Sequence, residues 1–313
     1  MKTFIALPFI LLTSVIAPIV SMPSNEIALK QGDVLHFGIA EEESRFDARF
    51  VILDANYTNT GEEGMFLWAE SLVSNEGKAI PFRQEKDEDS NSYTGSYAKQ
   101  WCTDFYEKSF TELEKSFILP SFCSDEAFSI PASFGFGSNT PMVDFAAEEN
   151  ILNGDCVFLL SAEEASNASY GLDSASNRLS SYNGVTASYW LRSPHDRSNF
   201  PNDVGIVFYN GWLMDFIQDS DNVFGVSPIY MRPALNIKKL SSDQLIEVRN
   251  HEYCLKDESA MFENPPEKQE FRENNPLPLT IALLAAGLVL IIGIPILIVI
   301  LVKRHKKKKA KQA

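Results

Sequence analysis

Three blocks of sequence decide the fold of this chain: SYWLRSP at residues 188–194, DVGIVFYNGWLMDFI at 203–217 and IYMRPALNI at 229–237. Each block is rich in the β-branched and aromatic residues that favour strands. Arg192 and Arg232 lie inside the first and third blocks, among apolar neighbours. A buried charge needs a partner, so we expect both guanidinium groups to be paired within the domain. The alternative is that they clamp the carboxylate of a ligand.

The middle block predicts a β-hairpin, because Asn210-Gly211 lies between two apolar runs. Both residues readily adopt the positive φ that the two central positions of a type I′ turn require. A two-residue loop predicts three cross-strand pairs: Tyr209 with Trp212, Phe208 with Leu213, and Val207 with Met214. Both faces of this hairpin carry apolar side chains, so we expect it to be buried on two sides.

Arg232 lies in the block that closes the domain and is followed directly by Pro233. Proline cannot donate a hydrogen bond to a strand ladder, which places Pro233 at a sheet edge or at a strand start. Alternation along the block directs Arg232 into the domain, beside the strand that contains Trp190. Asp203 and Asp215 bracket the hairpin, and we expect one of them to pair with Arg232.

The order of these motifs resembles a bacterial surface-domain family, the domain-of-unknown-function family 6273. The resemblance rests on Trp190-Leu-Arg-Ser-Pro194, on Val204 and Gly211, and on Arg232-Pro-Ala-Leu235. Further blocks extend it to about residues 27–240: Gly32–Gly38, the Ser96, Trp101 and Phe105 pattern, and Gly154–Glu164. The chain departs from the family at Met231, where valine is usual, and at Arg49-Phe50, where a Trp-Arg pair is common.

The resemblance implies an α+β domain of secreted and membrane proteins, with a structural signature of Trp190, Arg192, Gly211 and Arg232. The family's closing blocks are similar to those of the C-type-lectin-like fold of formylglycine-generating enzymes. By analogy this implies one ectodomain of antiparallel strands with two or three short helices. Those enzymes use a cysteine pair in their last third, whereas this chain has no cysteine between Cys156 and Cys254. Their oxidase chemistry is therefore not expected, since a fold alone does not define a function.

Hydrophobic periodicity predicts an amphipathic helix over Tyr97–Ser109, with its aromatic residues as core anchors. Thr111–Glu114 and Ser161–Glu164 have the spacing of capping boxes, so each is expected to start a short helix. Residues 129–145 and 166–183 are rich in Gly, Ser, Asn or Pro without a period. We expect both to be long surface loops, which on a packed scaffold often carry binding.

The two ends of the chain carry membrane-targeting patterns. Residues 1–21 have a positive start, an apolar core and a small residue at the expected cut, which predicts a secretory signal peptide; an uncleaved anchor is the alternative. Residues 279–302 are uncharged and long enough to cross a bilayer, and the basic segment 303–313 is expected to stay in the cytoplasm. This order places an extracellular domain at 24–240 and a stalk at 241–278.

Charge is divided unevenly along the chain. The segment outside the membrane contains all 42 acidic residues but 19 of the 27 basic ones, a formal net charge near −23. Such a surface repels nucleic acid, which is excluded as a partner. The charge either favours cationic partners or only keeps an exported protein soluble.

Four cysteines, Cys102, Cys123, Cys156 and Cys254, all lie in the part expected outside the cell, where disulfides are permitted. Four cysteines allow three pairings, and we expect Cys102–Cys123 and Cys156–Cys254. Four buried thiols are the alternative. Asn56 and Asn167 begin Asn-x-Ser/Thr sequences, which are glycosylation acceptors only if the source is eukaryotic.

No catalytic motif of a serine hydrolase or a zinc protease occurs in the sequence. Two groups of oxygen ligands are compatible with calcium, although neither has EF-hand spacing: Asp215, Asp219, Asp221 and Asn222, and Asp87, Glu88, Asp89 and Asn91. The sequence therefore predicts a protein that is not an enzyme and has no cofactor, with calcium as the alternative.

Leu277-Pro-Leu-Thr280 has the layout of a wall-sorting signal, because an apolar run and a basic tail follow it. The glycine expected after the threonine is Ile281, so we prefer a retained transmembrane helix to cleavage. Taken together, these features predict a single-pass surface protein of the plasma membrane with a noncatalytic binding or adhesion ectodomain. The ligand is a glycan or a protein. The alternatives are an extracytoplasmic enzyme with an unrecognised site and a structural spacer.

Overall fold

The computed structural model describes residues 27–39, 47–57, 62–74, 77–83, 91–123, 128–129, 144–145, 151–195, 201–223, 225 and 227–257. The predicted signal peptide, membrane span, basic tail and sorting-type motif lie outside these residues. Within the described ranges, no helix is both long and apolar enough to cross a membrane.

Strands dominate the described part of the chain and helices are few. The strands are β1 (Val34–Ile39), β2 (Asp47–Tyr57), β3 (Gly64–Ala69), β4 (Ile118–Leu119), β5 (Ser121–Cys123), β6 (Phe128–Ser129), β7 (Asp144–Phe145), β8 (Leu152–Asp155), β9 (Val157–Leu159), β10 (Ser181–Tyr182), β11 (Val185–Thr186), β12 (Ser188–Pro194), β13 (Asp203–Val207), β14 (Leu213–Ile217), β15 (Asn222–Val223), β16 (Ser227–Tyr230), β17 (Pro233–Lys238), β18 (Leu245–Arg249) and β19 (Glu252–Leu255). The helices are α1 (Tyr97–Ser109), α2 (Glu112–Lys115) and α3 (Ala175–Arg178), with 3₁₀ turns at Glu164–Ser166, Ala168–Tyr170 and Ser242–Gln244. The predicted α+β class is confirmed as a strand-rich fold.

The larger sheet runs in the order β18-β19-β1-β2-β3-β17-β4, with β9 also paired to β17. Its first and last strands in sequence lie side by side, because β19 pairs in parallel with β1. Residues 241–257 were predicted to begin the stalk, and this is wrong. Leu245, Tyr253 and Leu255 are buried in the same core as the rest of the sheet. The domain therefore extends at least to the end of β19.

The three fold-deciding blocks build the second sheet, whose order is β14-β13-β12-β16-β15. The third block belongs to both sheets: β16 pairs in parallel with β12, and β17 pairs with β3. The chain crosses between the sheets at Met231 and Arg232, and Pro233 starts β17 as predicted. Met231 is held at this crossing by a bridge to Val73. The signature arginine Arg232 thus lies where the two sheets join.

The predicted hairpin forms, but its register differs by one residue. Val207 pairs with Leu213 instead of Met214, and the Phe208 amide donates to the Trp212 carbonyl oxygen at 2.8 Å. The connection is a turn closed by the Gly211 amide on the Phe208 carbonyl oxygen at 2.7 Å, with only Gly211 at positive φ. This is a three-residue loop of the type I plus bulge kind, so Asn210 does not need the left-handed conformation that a type I′ turn requires. β13 is buried on both faces as expected, but β14 is a half-exposed edge strand.

We expect Gly211→Ala to lower the free energy of unfolding by about 3 kcal/mol. Gly211 has φ +84°, and an added Cβ would lie 1.9 Å from the carbonyl oxygen of Ala175. A matched control is Gly184→Ala, since Gly184 has φ +77° but open space around its Cα. That variant should lose only about 1 kcal/mol, the cost of the left-handed conformation. Equal losses in denaturant titrations of the two variants would refute the close approach.

Helix α1 has the bounds that the sequence predicts, and Trp101, Cys102 and Phe105 form its buried face. Both predicted capping boxes are present: the Thr111 hydroxyl accepts from the Glu114 amide at 3.2 Å, and the Ser161 hydroxyl accepts from the Glu164 amide at 3.1 Å. The first begins the one-turn helix α2. The second begins only a 3₁₀ turn, and its Glu164 carboxylate also contacts a neighbouring strand.

Candidate functional site

The carboxylate of Glu164 is paired with the guanidinium group of Arg192, which lies in strand β12. Arg192 is 0% exposed, and its Nη2 lies 3.1 Å from Glu164 Oε1 while its Nη1 donates to Leu159 O at 2.8 Å. Glu164 Oε2 contacts Arg192 Nη1 and also accepts from the Ser161 amide. The guanidinium carbon lies 5.6 Å from the centroid of the Phe158 ring. The expectation that Arg192 is paired inside the domain is therefore correct.

Arg232 is also buried, but its partners differ from those predicted. Its Nε donates to Ala69 O at 2.8 Å, and its Nη1 donates to Arg178 O and to the Tyr189 hydroxyl at 3.1 Å each. Its guanidinium carbon lies 3.3 Å from the centroid of the Trp68 ring. Backbone carbonyl oxygens and an aromatic face thus replace the carboxylate that we expected, and neither Asp203 nor Asp215 contacts this arginine.

A third buried arginine, Arg178, was not identified from the sequence. It ends α3 within the segment predicted to be a polar surface loop, and it is 1% exposed. Its Nε donates to Gly211 O at 2.8 Å and its Nη1 to Leu172 O at 2.7 Å. The Tyr189 hydroxyl donates to its carbonyl oxygen at 2.6 Å. Arg178 therefore fastens α3 to the hairpin loop and to β12.

The predicted signature residues form the core of the domain. Trp190 is fully buried, and its indole Nε1 donates to Ile80 O at 2.7 Å. Gly211 is required by the close approach of α3, and Arg192 and Arg232 connect strands. Each of these side chains or backbone positions is explained by packing, so a ligand site has to be sought elsewhere on the domain.

The predicted disulfides, Cys102–Cys123 and Cys156–Cys254, are not formed, and each cysteine is present as a thiol. Cys254 lies in β19, which is separated from β17 by β1, β2 and β3. Strands lie about 4.8 Å apart, so β19 and β17 are roughly 19 Å apart, and Cys156 precedes β9 on the far side of β17. A disulfide needs Cα atoms within about 7 Å.

Cys102 is buried in α1, and burial raises the pKa of its thiol to about 12, which makes it an inert core residue.

Asp203 and Asp215 lie with His195 at one end of the five-stranded sheet. His195 Nε2 is 3.8 Å from Asp215 Oδ2, and Asp203 and Asp215 lie on the neighbouring strands β13 and β14. The buried Asn91 supports the group, because its Nδ2 donates to His195 O at 2.9 Å and to Asp203 O at 2.8 Å. Burial and then the charge of Asp215 raise the pKa of Asp203 to about 6, against the opposing effect of His195. The arrangement is a cluster of two carboxylates and one imidazole, in which Asp203 is the group with a raised pKa.

We expect Asp203→Asn to stabilise the fold by about 1 kcal/mol at pH 7 and not at pH 4. Because the pKa is raised in the folded chain from 3.8 to about 6, the folded state binds more protons across this range, and stability falls as pH rises through it. Asparagine does not ionise, so the variant does not lose stability as pH rises through this range. The check is the melting temperature of wild type and variant from pH 4 to pH 7, with Asp219→Asn, at an exposed turn position, as the control. A constant difference across pH would contradict the assignment.

Among the described residues, no group of three Asp, Glu, His or Cys side chains is placed to hold a metal ion. Asp215 lies in β14, whereas Asp219 and Asp221 lie in the turn that follows it. The second predicted calcium group lies mostly outside the described residues, and its described member, Asn91, binds backbone carbonyl oxygens. Calcium binding stays a prediction from the sequence.

The surface around α3 is the exposed face that the signature residues support. We call residues 173–179 together with Tyr209 and Asn210 the α3 surface. Leu179 and Tyr209 are exposed on it, and the hairpin loop lies against Ala175. This segment was predicted to be a long polar loop that carries binding. It is instead regular, with a 3₁₀ turn capped by Asn167, whose Oδ1 accepts from the Ser169 amide at 2.9 Å.

The two Asn-x-Ser/Thr sequences lie in different surroundings. Asn56 is exposed at the end of β2, and its Oδ1 accepts from Lys239 Nζ at 2.9 Å. Asn167 is half-buried at its 3₁₀ turn. Whether either is glycosylated stays conditional on a eukaryotic source.

Comparisons with known proteins agree with the motif order on which the resemblance rests. The family model described as a domain of unknown function, DUF6273, matches residues 62–239. No curated protein and no solved structure matched. The matched segment is more than half of the chain and contains Trp190, Arg192, Gly211 and Arg232, so the chain belongs to the DUF6273 family.

Proposed function

We propose that this protein is a single-pass protein of the plasma membrane that displays a noncatalytic binding or adhesion domain outside the cell. The observation that carries this proposal is the burial of the signature residues. Arg192 and Arg232 are 0% and 5% exposed and are hydrogen-bonded to the domain itself, so the family pattern encodes a scaffold. A scaffold held so firmly positions its surface segments for recognition. The targeting patterns at 1–21 and 279–302 support a position of that surface outside the cell.

The α3 surface is the part of the scaffold that we propose for ligand contact. It is anchored by Arg178 and by the backbone approach at Gly211, and it presents Leu179 and Tyr209 to solvent. Apolar side chains exposed on an ordered element lose little conformational entropy when they bind, which favours recognition over a merely solvated face.

Two other functions are favoured by particular observations. In the cluster of His195, Asp203 and Asp215, the pKa of Asp203 is raised as is typical of acid–base sites, which favours an extracytoplasmic enzyme. The strongly acidic composition outside the membrane, which keeps an exported protein soluble without any ligand, favours a spacer. We prefer the binding function, because the sequence has no motif of a serine hydrolase or a zinc protease.

The finer fold assignment, a C-type-lectin-like ectodomain, is also a proposal. It is supported by the parallel pairing of β1 with β19, which brings the two ends of the described domain together. It rests otherwise on the analogy between closing motifs, which carries no function with it.

Topology and binding are both testable on intact cells that produce the full chain. Protease added outside should destroy the domain and leave a small basic fragment, and loss of that fragment from outside would overturn the orientation.

The same cells should adhere to surfaces coated with a panel of polysaccharides and matrix proteins more strongly than cells producing a Tyr209→Ala, Leu179→Ala variant. Equal adhesion to every coating would favour the spacer, provided that both chains reach the surface in equal amounts.

A further inference from the structure

We propose that the α3 surface recognises a neutral, hydroxyl-rich polysaccharide. This inference rests on the proposed binding function and names the class of ligand. It follows from the charge of the surface, from the hydrogen-bonding groups on it and from the way the surrounding core holds it in place.

The α3 surface belongs to a neutral segment of a strongly acidic domain. Residues 166–186 contain one acidic residue, Asp173, and one basic residue, Arg178, whereas the whole segment outside the membrane has a formal net charge near −23. The two charges act on each other, because Asp173 opposes the lowering of the Arg178 pKa that burial causes. An anionic polymer is repelled by the rest of the domain, and a cationic one is attracted to its other faces. A neutral ligand is the one that this surface selects.

The polar groups of the surface are hydroxyls and amides. Ser, Thr and Asn make up 10 of the 21 residues at 166–186. Ser174 Oγ lies 3.0 Å from Ser176 Oγ, and Asn177 Nδ2 donates to Gly171 O at 2.8 Å, so these side chains are already oriented. Hydroxyl and amide groups both donate and accept, as the hydroxyls of a sugar do. Such a surface can exchange its water for sugar hydroxyls without leaving a charge desolvated.

Tyr209 supplies an exposed aromatic ring on the hairpin loop, which lies against Ala175 of α3. Tyr209 is 41% exposed, and the ring of Phe208 is tilted by 59° against its ring, with centroids 4.4 Å apart. An aromatic ring with one wet face packs against the C–H face of a sugar while its hydroxyl stays solvated. Tyr, Ser, Asn and Gly are also the residues that binding loops use for rigid contact and adaptable hydrogen bonding.

The surface is fixed before any ligand arrives. Arg178 holds α3 to Gly211 O and Leu172 O from below, and Arg232 and Tyr189 bind the Arg178 carbonyl oxygen. Little ordering is therefore required on binding, which matters for a ligand whose individual contacts are weak. A protein partner fits less well, because Leu179 and Tyr209 are the large apolar side chains that the described part of this surface exposes, too few for the apolar centre of a protein interface.

The test uses the full chain in nanodiscs and three sets of immobilised probes. The first set is neutral (dextran, mannan and chitin oligosaccharides), the second is anionic (hyaluronan and heparin), and the third is protein (collagen and fibronectin). We expect binding to at least one neutral probe, lost at least 10-fold in Tyr209→Ala and retained in Tyr209→Phe. Phe122→Ala is the matched control, because Phe122 is 54% exposed on β5, outside the α3 surface, and this variant should bind as wild type.

Several results would overturn the inference. Binding to anionic or protein probes alone would refute the ligand class and leave the proposed binding function standing. Neutral binding that Tyr209→Ala does not weaken, or that Phe122→Ala weakens as much, would refute the surface. Binding to none of the probes, by a chain whose melting temperature shows that it is folded, would count against the inference, and together with equal cell adhesion it would also refute the binding function.

Discussion

Replacing Arg192 by methionine should lower the free energy of unfolding by about 3–5 kcal/mol. Methionine has a similar length and no charge, so the main consequence is chemical: the Glu164 carboxylate stays buried without its guanidinium partner. Arg192 is fully buried and contacts both oxygens of that carboxylate. Leaving one member of a buried ion pair uncompensated costs far more than removing the pair. Denaturant titration of the full chain, followed by tryptophan fluorescence, measures the loss.

The double variant Arg192→Met, Glu164→Gln is the control for this mechanism. Glutamine keeps the acceptor that caps the Ser161 amide but removes the buried charge. The double variant should regain at least half of the stability lost by the single one, since an uncharged pair has no desolvation deficit. If the single and double variants unfold at the same denaturant concentration, the charge of Glu164 is not the cause, and lost packing against Phe158 is.

Local sequence patterns correctly predicted the elements whose interactions join residues only a few positions apart. Helix α1 was predicted with its bounds, because a polar face and an aromatic face repeat with helical period. The capping boxes formed because each needs residues only three positions apart. The hairpin was predicted from its apolar runs, but its register was not. Gly211 is pressed against Ala175, and that contact requires α3, a neighbour that the local pattern does not contain.

Partners of buried charges depended on tertiary structure, and the sequence predicted them less well. The burial of Arg192 and Arg232 followed from their apolar neighbours. The partners of these arginines did not follow from the local sequence. Glu164 lies 28 residues from Arg192, and the sequence had already assigned it to a capping box. The grouping of His195, Asp203 and Asp215 was missed for the same reason. Arg178 gave no signal at all, since its segment has the composition of a solvated loop.

The end of the domain was predicted too early, at residue 240, because the polar composition of the following residues was given more weight than their hydrophobic pattern. Residues 241–257 gain Glu, Asn and charged side chains, which favoured a stalk. The strand β18 nevertheless forms at the sheet edge, where exposed polar residues are tolerated, and β19 pairs between β18 and β1. Only Leu245, Tyr253, Cys254 and Leu255 are buried there, a pattern too short to stand out in a window average.

Replacing Arg232 by alanine should lower the free energy of unfolding by about 4 kcal/mol, which corresponds to a fall of roughly 10 °C in melting temperature for a domain of this size. The reason differs from the one that the sequence implied. Among the described residues no carboxylate oxygen bonds Arg232, but the carbonyl oxygens of Ala69 and Arg178 would lose a buried donor, and the space over the Trp68 ring would be empty. Each unsatisfied buried acceptor costs about 1–3 kcal/mol, and the cavity adds to it.

A second variant, Arg232→Lys, separates the contribution of the charge to stability from that of the planar guanidinium group. Arg232→Lys keeps the charge and one donor but loses the planar fork that bonds Ala69 O and Arg178 O while lying flat on Trp68. It should therefore melt between wild type and Arg232→Ala. Because Arg232 is buried beneath the α3 surface, both variants should weaken polysaccharide binding mainly through their loss of folded protein. If Arg232→Ala instead melts like wild type and yet abolishes binding, the arginine contacts the ligand, and its assignment to the core is wrong.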